Sequence, residues 1–272
     1  MSAGATARRA AFVAALVVAL TVVVAFLTFP VVAIFVRSSP GALLDGLRDP
    51  SAQDALRLSL VCTSIAAAII VVVGTPAAWL LATRRFRGRS VVITLVELPL
   101  VMPPAVAGIG LLAAFGPQGI VGRPLGDLGL QPVLTTAGVV TALVFVAAPF
   151  YLRQAQAAFE AVDRRWLDAS RTLGAGELRT WLRVAIPVAR GGLITGLALA
   201  WGRALGEFGA TLMFAGSFRD ITQTAPLAIY ERFATDFDGA LGLSAVLVSL
   251  SAAVLLTVRI VGRGAVVGGV RG

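Results

Sequence analysis

Apolar residues run in long stretches broken by short polar intervals, over 10–36, 58–83, 91–115, 133–152, 191–216 and 240–258. A helix needs about 20 apolar residues to cross the hydrocarbon layer. The pattern therefore predicts six spans in an all-α integral membrane chain. The first follows Arg8 and Arg9, the charge order of a signal peptide. A signal peptide has an apolar core of only about 7–15 residues. A run over 10–36 reads instead as an uncleaved anchor, which Pro30 can kink. The third span is interrupted at Glu97-Leu98-Pro99-Leu100-Val101-Met102-Pro103-Pro104. Prolines remove backbone donors, and broken backbone inside a membrane needs protein or a watery cavity around it. Glu97, Pro99, Pro103 and Pro104 are thus pathway or gate candidates. A kink with no pathway role is the other reading.

The longest polar interval in the C-terminal half, 163–187, is amphipathic. Phe159, Val162, Trp166, Ala169, Ser170 and Leu173 recur at three- and four-residue spacing, one face of a helix. Asp163 can cap it and Gly174 can end it. A second turn sets Leu178, Trp181 and Leu182 on one side, exposes Arg179 and Arg183, and closes at Pro187. A helix–Gly–helix elbow with an apolar face needs something to dock against. The alternative is an amphipathic loop lying on the membrane surface.

The fifth span carries two ridges of small residues: Gly192, Gly196, Ala200 and Ala204, and Ala198, Gly202, Gly206 and Ala210. Small residues let helix backbones approach closely, so Gly192, Gly196, Gly202 and Gly206 are helix-packing candidates in mid-bundle or at a dimer axis. Arg203 and Glu207, four apart, share a face and can pair, with Glu97 a third possible partner. Ionisable residues inside a membrane face the protein interior. With Phe208, the pair is read as a gate or pathway feature; a structural pair joining two helices is the competing reading.

Composition agrees with a membrane protein. Hydrophobic residues make up 58%, against about 45–50% in soluble domains, and mean hydropathy is +0.90. The net charge of +9 comes from arginine alone, because the chain has no lysine. Nucleic acid is not the implied partner, since most arginines sit in short loops beside apolar stretches. One side of the six-span layout takes Arg8, Arg9, the four arginines of 84–89, Arg153, Arg164, Arg165, Arg171, Arg179, Arg183, Arg190, Arg259, Arg263 and Arg271. The other takes Arg37, Arg48, Arg57, Arg123, Arg219 and Arg232. The positive-inside rule then places both termini and the elbow in the cytoplasm. Without lysine, a phosphate-binding loop ending Gly-Lys-Ser/Thr is impossible, so any ATPase is a separate chain. Without histidine and with Cys62 alone, histidine acid–base chemistry, zinc sites and internal disulfides are excluded; no cofactor or metal site is expected.

The elbow also resembles the cytoplasmic loop of ABC importer permeases, which reads Glu-Ala-Ala, three residues, Gly, nine residues, aliphatic, any residue, Leu, Pro. Here Asp168-Ala169-Ser170, Gly174 and Val184-Ala185-Ile186-Pro187 stand in that register, with Asp, Ser and Ile as departures. Gly206-Glu207-Phe208-Gly209-Ala210-Thr211, Phe214-Ala215-Gly216, Gln223 to Tyr230 and Leu98 to Pro104 resemble the molybdate-type permeases. Sulfate permeases are near relatives, more often carrying Tyr after the Glu. Ala225 stands where Leu is common. The resemblance covers 56–258 and implies a type I ABC importer permease fold of six transmembrane helices with a cytoplasmic coupling-helix elbow. It implies coupling contacts at Trp166, Asp168, Ala169, Leu173, Gly174 and Pro187.

The resemblance further implies a homodimer in the bacterial plasma membrane, two ATP-binding subunits below and an extracytoplasmic oxyanion-binding protein above. The expected layout is 1–9 inside, one permease domain over 10–264 with its coupling loop at 160–187, and a cytoplasmic tail over 265–272. Import of a tetrahedral oxyanion, molybdate first, with sulfate or tungstate as alternatives, is the expected function. A secondary transporter would need internal symmetry and more ionisable residues in its spans. A membrane enzyme would need a catalytic constellation that this composition does not supply.

Overall fold

The structure is a computed structural model and describes residues 3–38, 41 and 48–267. Met1, Ser2, Asp45, Arg271 and most of the expected tail lie outside them. Every regular element among the described residues is helical: α1 (Ala3–Arg37), α2 (Pro50–Thr83), α3 (Arg89–Val101), α4 (Pro104–Phe115), α5 (Gly122–Asp127), α6 (Thr136–Glu160), α7 (Arg164–Thr172), α8 (Glu177–Thr180), α9 (Ile186–Leu205), α10 (Gly209–Ala215), α11 (Ala225–Phe233) and α12 (Phe237–Val267). A widened π turn, Trp181–Ala185, joins α8 to α9. Five of these helical stretches are long and apolar enough to cross a membrane, and α3 with α4 makes a sixth if the bent pair counts as one span.

The core is built by α2, α6 and α9. Along α6, Val139, Leu143, Ala147, Tyr151, Ala155 and Phe159 recur every four residues and are all buried. Cys62, Ala66, Ile70 and Ala78 repeat the same ridge on α2. Lipid is as apolar as a leucine side chain, so close packing of small residues must hold these helices together. Gly74 on α2 shows how close they come: a Cβ there would lie 3.0 Å from the Tyr151 ring. Tyr151 and Thr75 join hydroxyls at 2.6 Å, and the Thr75 hydroxyl also donates to the Val71 carbonyl at 2.6 Å. Thr75 has one proton, so Tyr151 donates to Thr75. α1, by contrast, packs chiefly against α12 and leaves its apolar surface exposed along its length.

Two expected spans are not straight. The third turns through 119° between α3 and α4. Pro99 is absorbed within α3; the break falls at Met102-Pro103, where both residues are extended. Pro103 and Pro104 each lack an N–H, and a residue ahead of proline is pushed out of the helical region. The fifth, expected as one helix over 191–216, ends at Leu205 and restarts at Gly209. The limbs beyond the two breaks pack on each other. A Cβ at Gly108 would lie 2.6 Å from Met213 Cβ, and one at Gly209 would lie 2.7 Å from Pro104 Cβ. Ala107, Leu111, Ala142, Val146, Ala210 and Phe214 form a second buried cluster there.

Candidate functional site

The elbow differs from the continuous helical face expected for it. α6 ends at Glu160, and α7 starts afresh because the Asp163 carboxylate accepts the Arg165 N–H at 2.9 Å. The restart shifts the periodicity. Phe159 and Val162 are buried with the core, and on α7 the buried residue is Leu167, which the spacing argument did not single out. Trp166, Ala169 and Leu173 point away: Trp166 is 60% exposed and Leu173 87% exposed. Leu178 and Leu182 are exposed too, so the elbow carries an uncovered apolar surface, flanked by exposed Arg179 and Arg183.

Gly174 ends α7 with φ +80°, a backbone that side chains with a Cβ adopt at a cost. The Gly174 N–H donates to the Arg171 carbonyl at 2.9 Å and the Ala175 N–H to the Ser170 carbonyl at 3.1 Å. Ser170 and buried Thr180 join hydroxyls at 3.0 Å, tying the two arms. Arg171 bridges Asp168 at 3.1 Å and Glu177 at 3.2 Å. Pro187 sits, exposed, just past the π turn in a helix that runs on into α9, so its missing N–H leaves a carbonyl of that turn without its helical donor. The arginine-rich turn after α2 lies at the same end of the bundle as the elbow: Arg84 approaches Glu177 at 3.7 Å and Arg89 pairs with Glu160 at 3.0 Å.

At the break after α9, Glu207 is 2% exposed. One carboxylate oxygen meets Arg203 at 2.7 Å, and the other accepts the Ala210 N–H at 2.7 Å. Glu207 therefore joins the end of α9 to the start of α10. Phe208 packs on Tyr230 with ring centres 5.0 Å apart and the rings tilted by 51°. Glu97 is not a partner of Arg203; it pairs with Arg153 of α6 at 3.2 Å. Of the glycines, Gly192 and Gly196 pack as expected: a Cβ at Gly192 would lie 2.4 Å from Ala158 Cβ, and one at Gly196 would lie 3.1 Å from Gln154 Cβ. A Cβ at Gly202 or Gly206 would meet no other helix among the described residues. The first has open space around its missing Cβ, and the second only its own helix's Gly202 carbonyl at 3.7 Å. No group of histidine, cysteine or carboxylate side chains that could hold a metal occurs among the described residues.

The family model for the "binding-protein-dependent transport system inner membrane component" matches residues 74–265. The chain belongs to this family. It is 40% identical over 237 residues to the "molybdenum transport system permease protein ModB" of Mycobacterium tuberculosis, covering 86% of this chain and 89% of that protein. A "probable sulfate transport system permease protein" of Nephroselmis olivacea is 34% identical over 77% of this chain and 74% of its own length. A bacterial ABC transporter "involved in the import of the acidic polysaccharide alginate" superposes with a TM-score of 0.72 at 15% identity, over 94% of this chain and 96% of that chain. At that identity the likeness speaks for the fold, which is the type I ABC importer permease fold in an all-helical, multi-pass membrane protein.

Proposed function

We propose that this chain is the transmembrane subunit of an ATP-driven importer of a tetrahedral oxyanion, with molybdate as the substrate. The observation that carries this reading is the 40% identity, along most of both chains, to a permease named for molybdenum transport. The site residues support the coupling part. An elbow that leaves Trp166, Leu173, Leu178 and Leu182 uncovered presents the apolar surface a groove of an ATP-binding subunit would accept. In this reading Trp166, Asp168, Ala169, Leu173 and Gly174 meet that subunit, and motion passes through the π turn and Pro187 into α9. Closure of two ATPase chains would draw two elbows together and switch a central cavity between its inward and outward states. The proline bend at Pro99, Pro103 and Pro104 with Glu97, and the break at Arg203, Glu207 and Phe208, would lie along that path. A second copy of the chain and an extracytoplasmic binding protein complete the assembly. Open space at Gly202 suits the approach of a second copy.

The arginine-rich turn and the elbow face one side, which supports a cytoplasmic elbow and cytoplasmic termini in a bacterial plasma membrane. Sulfate is the second reading, favoured by the sulfate-named relative. Tungstate differs from molybdate too little in size and charge to be separated by these residues.

The test is ATP hydrolysis by the whole assembly in proteoliposomes, with the binding protein loaded in turn with molybdate, tungstate and sulfate. Stimulation by molybdate over sulfate is expected; stimulation by sulfate alone overturns the substrate. Gly174→Val, where a Cβ has open space but φ is +80°, is expected to uncouple transport. Unchanged uptake by that variant would refute the elbow's role.

A further inference from the structure

Between the arginine-rich turn and the elbow lies a cavity of about 520 Å³, and of its lining the transport reading uses Asp168 alone. Five arginines line it, Arg84, Arg85, Arg89, Arg164 and Arg171, against only two carboxylates, Glu160 and Asp168. The carboxylates are engaged: Glu160 holds Arg89, and Asp168 holds Arg171. Arg89 is further fixed by donating to the Leu81 carbonyl at 2.8 Å. Arg85 and Arg164 have no hydrogen bond or ion pair among the described residues. Two free guanidinium groups from separate elements thus line one cavity. Its apolar wall is Ala82, Phe159, Val162 and Leu167, the last three buried.

We propose that this cavity binds a phosphate-bearing anion, the headgroup of an anionic phospholipid. Guanidinium matches phosphate oxygens in a planar, paired geometry. The volume far exceeds that of a free phosphate ion and suits a headgroup with its glycerol. Ala82 and Thr83, the last residues of α2, are part of its lining, so the cavity lies beside the end of a helix long and apolar enough to cross a membrane. Basic pockets beside the ends of spans are sites for anionic headgroups. The apolar wall then takes the glycerol and the first acyl carbons. The same arginines would take a soluble phosphate, so the chemistry is shared and the source is separable.

The test uses the full chain in detergent, titrated with short-chain phosphatidylglycerol, with phosphatidylcholine and with inorganic phosphate. R85Q/R164Q removes the two free charges; R165Q, which removes the neighbouring charge outside the cavity, is the control. Two surface charges predict a roughly ten- to thirtyfold loss of phosphatidylglycerol affinity in the double variant, with R165Q within about twofold of the parent chain. R85Q alone, on an exposed turn, is expected to give about half that effect on a logarithmic scale, and it serves if the double variant misfolds. Inorganic phosphate binding that depends on the same two arginines, without a preference for the lipid, assigns the site to a soluble anion and keeps the chemistry. Equal binding by the parent and double variant, or an equal loss in R165Q, overturns the proposal. So does loss of a co-purifying ATPase while phosphate-ligand binding is unchanged, which would make the cavity a protein-docking face.

Discussion

The Arg203–Glu207 pair invites a double-mutant cycle because its two partners are unequally buried. The Glu207 side chain is 1% exposed and the Arg203 side chain 30%. Arg203→Ala leaves a buried carboxylate with one remaining partner, the Ala210 N–H. Stranding one member of a buried pair costs about 3–5 kcal/mol, and the surviving amide donor favours the low end, ~3 kcal/mol. Glu207→Ala frees an arginine that is already 30% exposed, so its main loss is the N–H interaction at the start of α10, about 1 kcal/mol. The arginine change is therefore the more damaging, although the glutamate is the more buried. Removing both eliminates the stranded charge, so the double variant is expected near the Glu207→Ala value, not at the sum. Cys62, the sole cysteine, is fully buried in the α2–α6–α9 core, so a thiol-reactive dye reports core opening on heating. At about 2–4 °C per kcal/mol, Arg203→Ala melts ~6–12 °C low and the other two variants a few degrees low. Additive losses, or a larger effect of Glu207→Ala, would refute a stabilising pair and leave both residues to the transport pathway.

The same assay separates the glycines. A Cβ at Gly192 would overlap Ala158, so Gly192→Ala is expected to cost about 1–3 kcal/mol, while Gly202→Ala, with open space, gains about 0.5–1 kcal/mol of helix propensity. Equal losses at both positions would contradict the assignment of only the first ridge to the α6–α9 contact. Tyr151→Phe is expected to lose about 0.5–1.5 kcal/mol, toward the low end, because Thr75 keeps its bond to Val71. A loss of 3 kcal/mol or more would mean that the hydroxyl pair carries more than one ordinary hydrogen bond.

Membrane architecture was legible because long apolar stretches leave little choice of structure in a lipid phase. The prolines located the bend near 97–104, although sequence could not say which would break the helix; adjacent Pro103 and Pro104 did, while Pro99 was tolerated within α3. Spacing found the Arg203–Glu207 pair because four residues is a local distance. It could not find Arg153–Glu97, whose partners come together only when α6 packs near the bend. The elbow's start and end were legible from Asp163 and Gly174, yet the buried face was misassigned by carrying one helical period through a cap. An N-cap resets the phase, and restarting the count at Asp163 brings Leu167 inward. Small-residue ridges showed that close contacts exist in the fifth span without showing which ridge faces this chain.

The two ends of α9 differ from its middle in a way that bears on coupling. At one end the backbone widens into the Trp181–Ala185 π turn; at the other the helix stops at Gly206 and resumes at Gly209. Between them Gly192 and Gly196 hold α9 against α6 at distances that allow little sliding. A displacement of the elbow would thus find compliance at the π turn, stiffness along α9, and a second compliant point at Glu207. The charge pair at that second point spans the gap, with Arg203 on the stiff segment and the Ala210 N–H on the restarted one. If the break moves during transport, Glu207→Gln is the informative change, since its amide oxygen can still accept from Ala210 while the charge attraction to Arg203 is gone. Stability is then expected to fall by less than in Arg203→Ala, while the ratio of transport to ATP hydrolysis changes. A variant with parental coupling would make the pair a static brace.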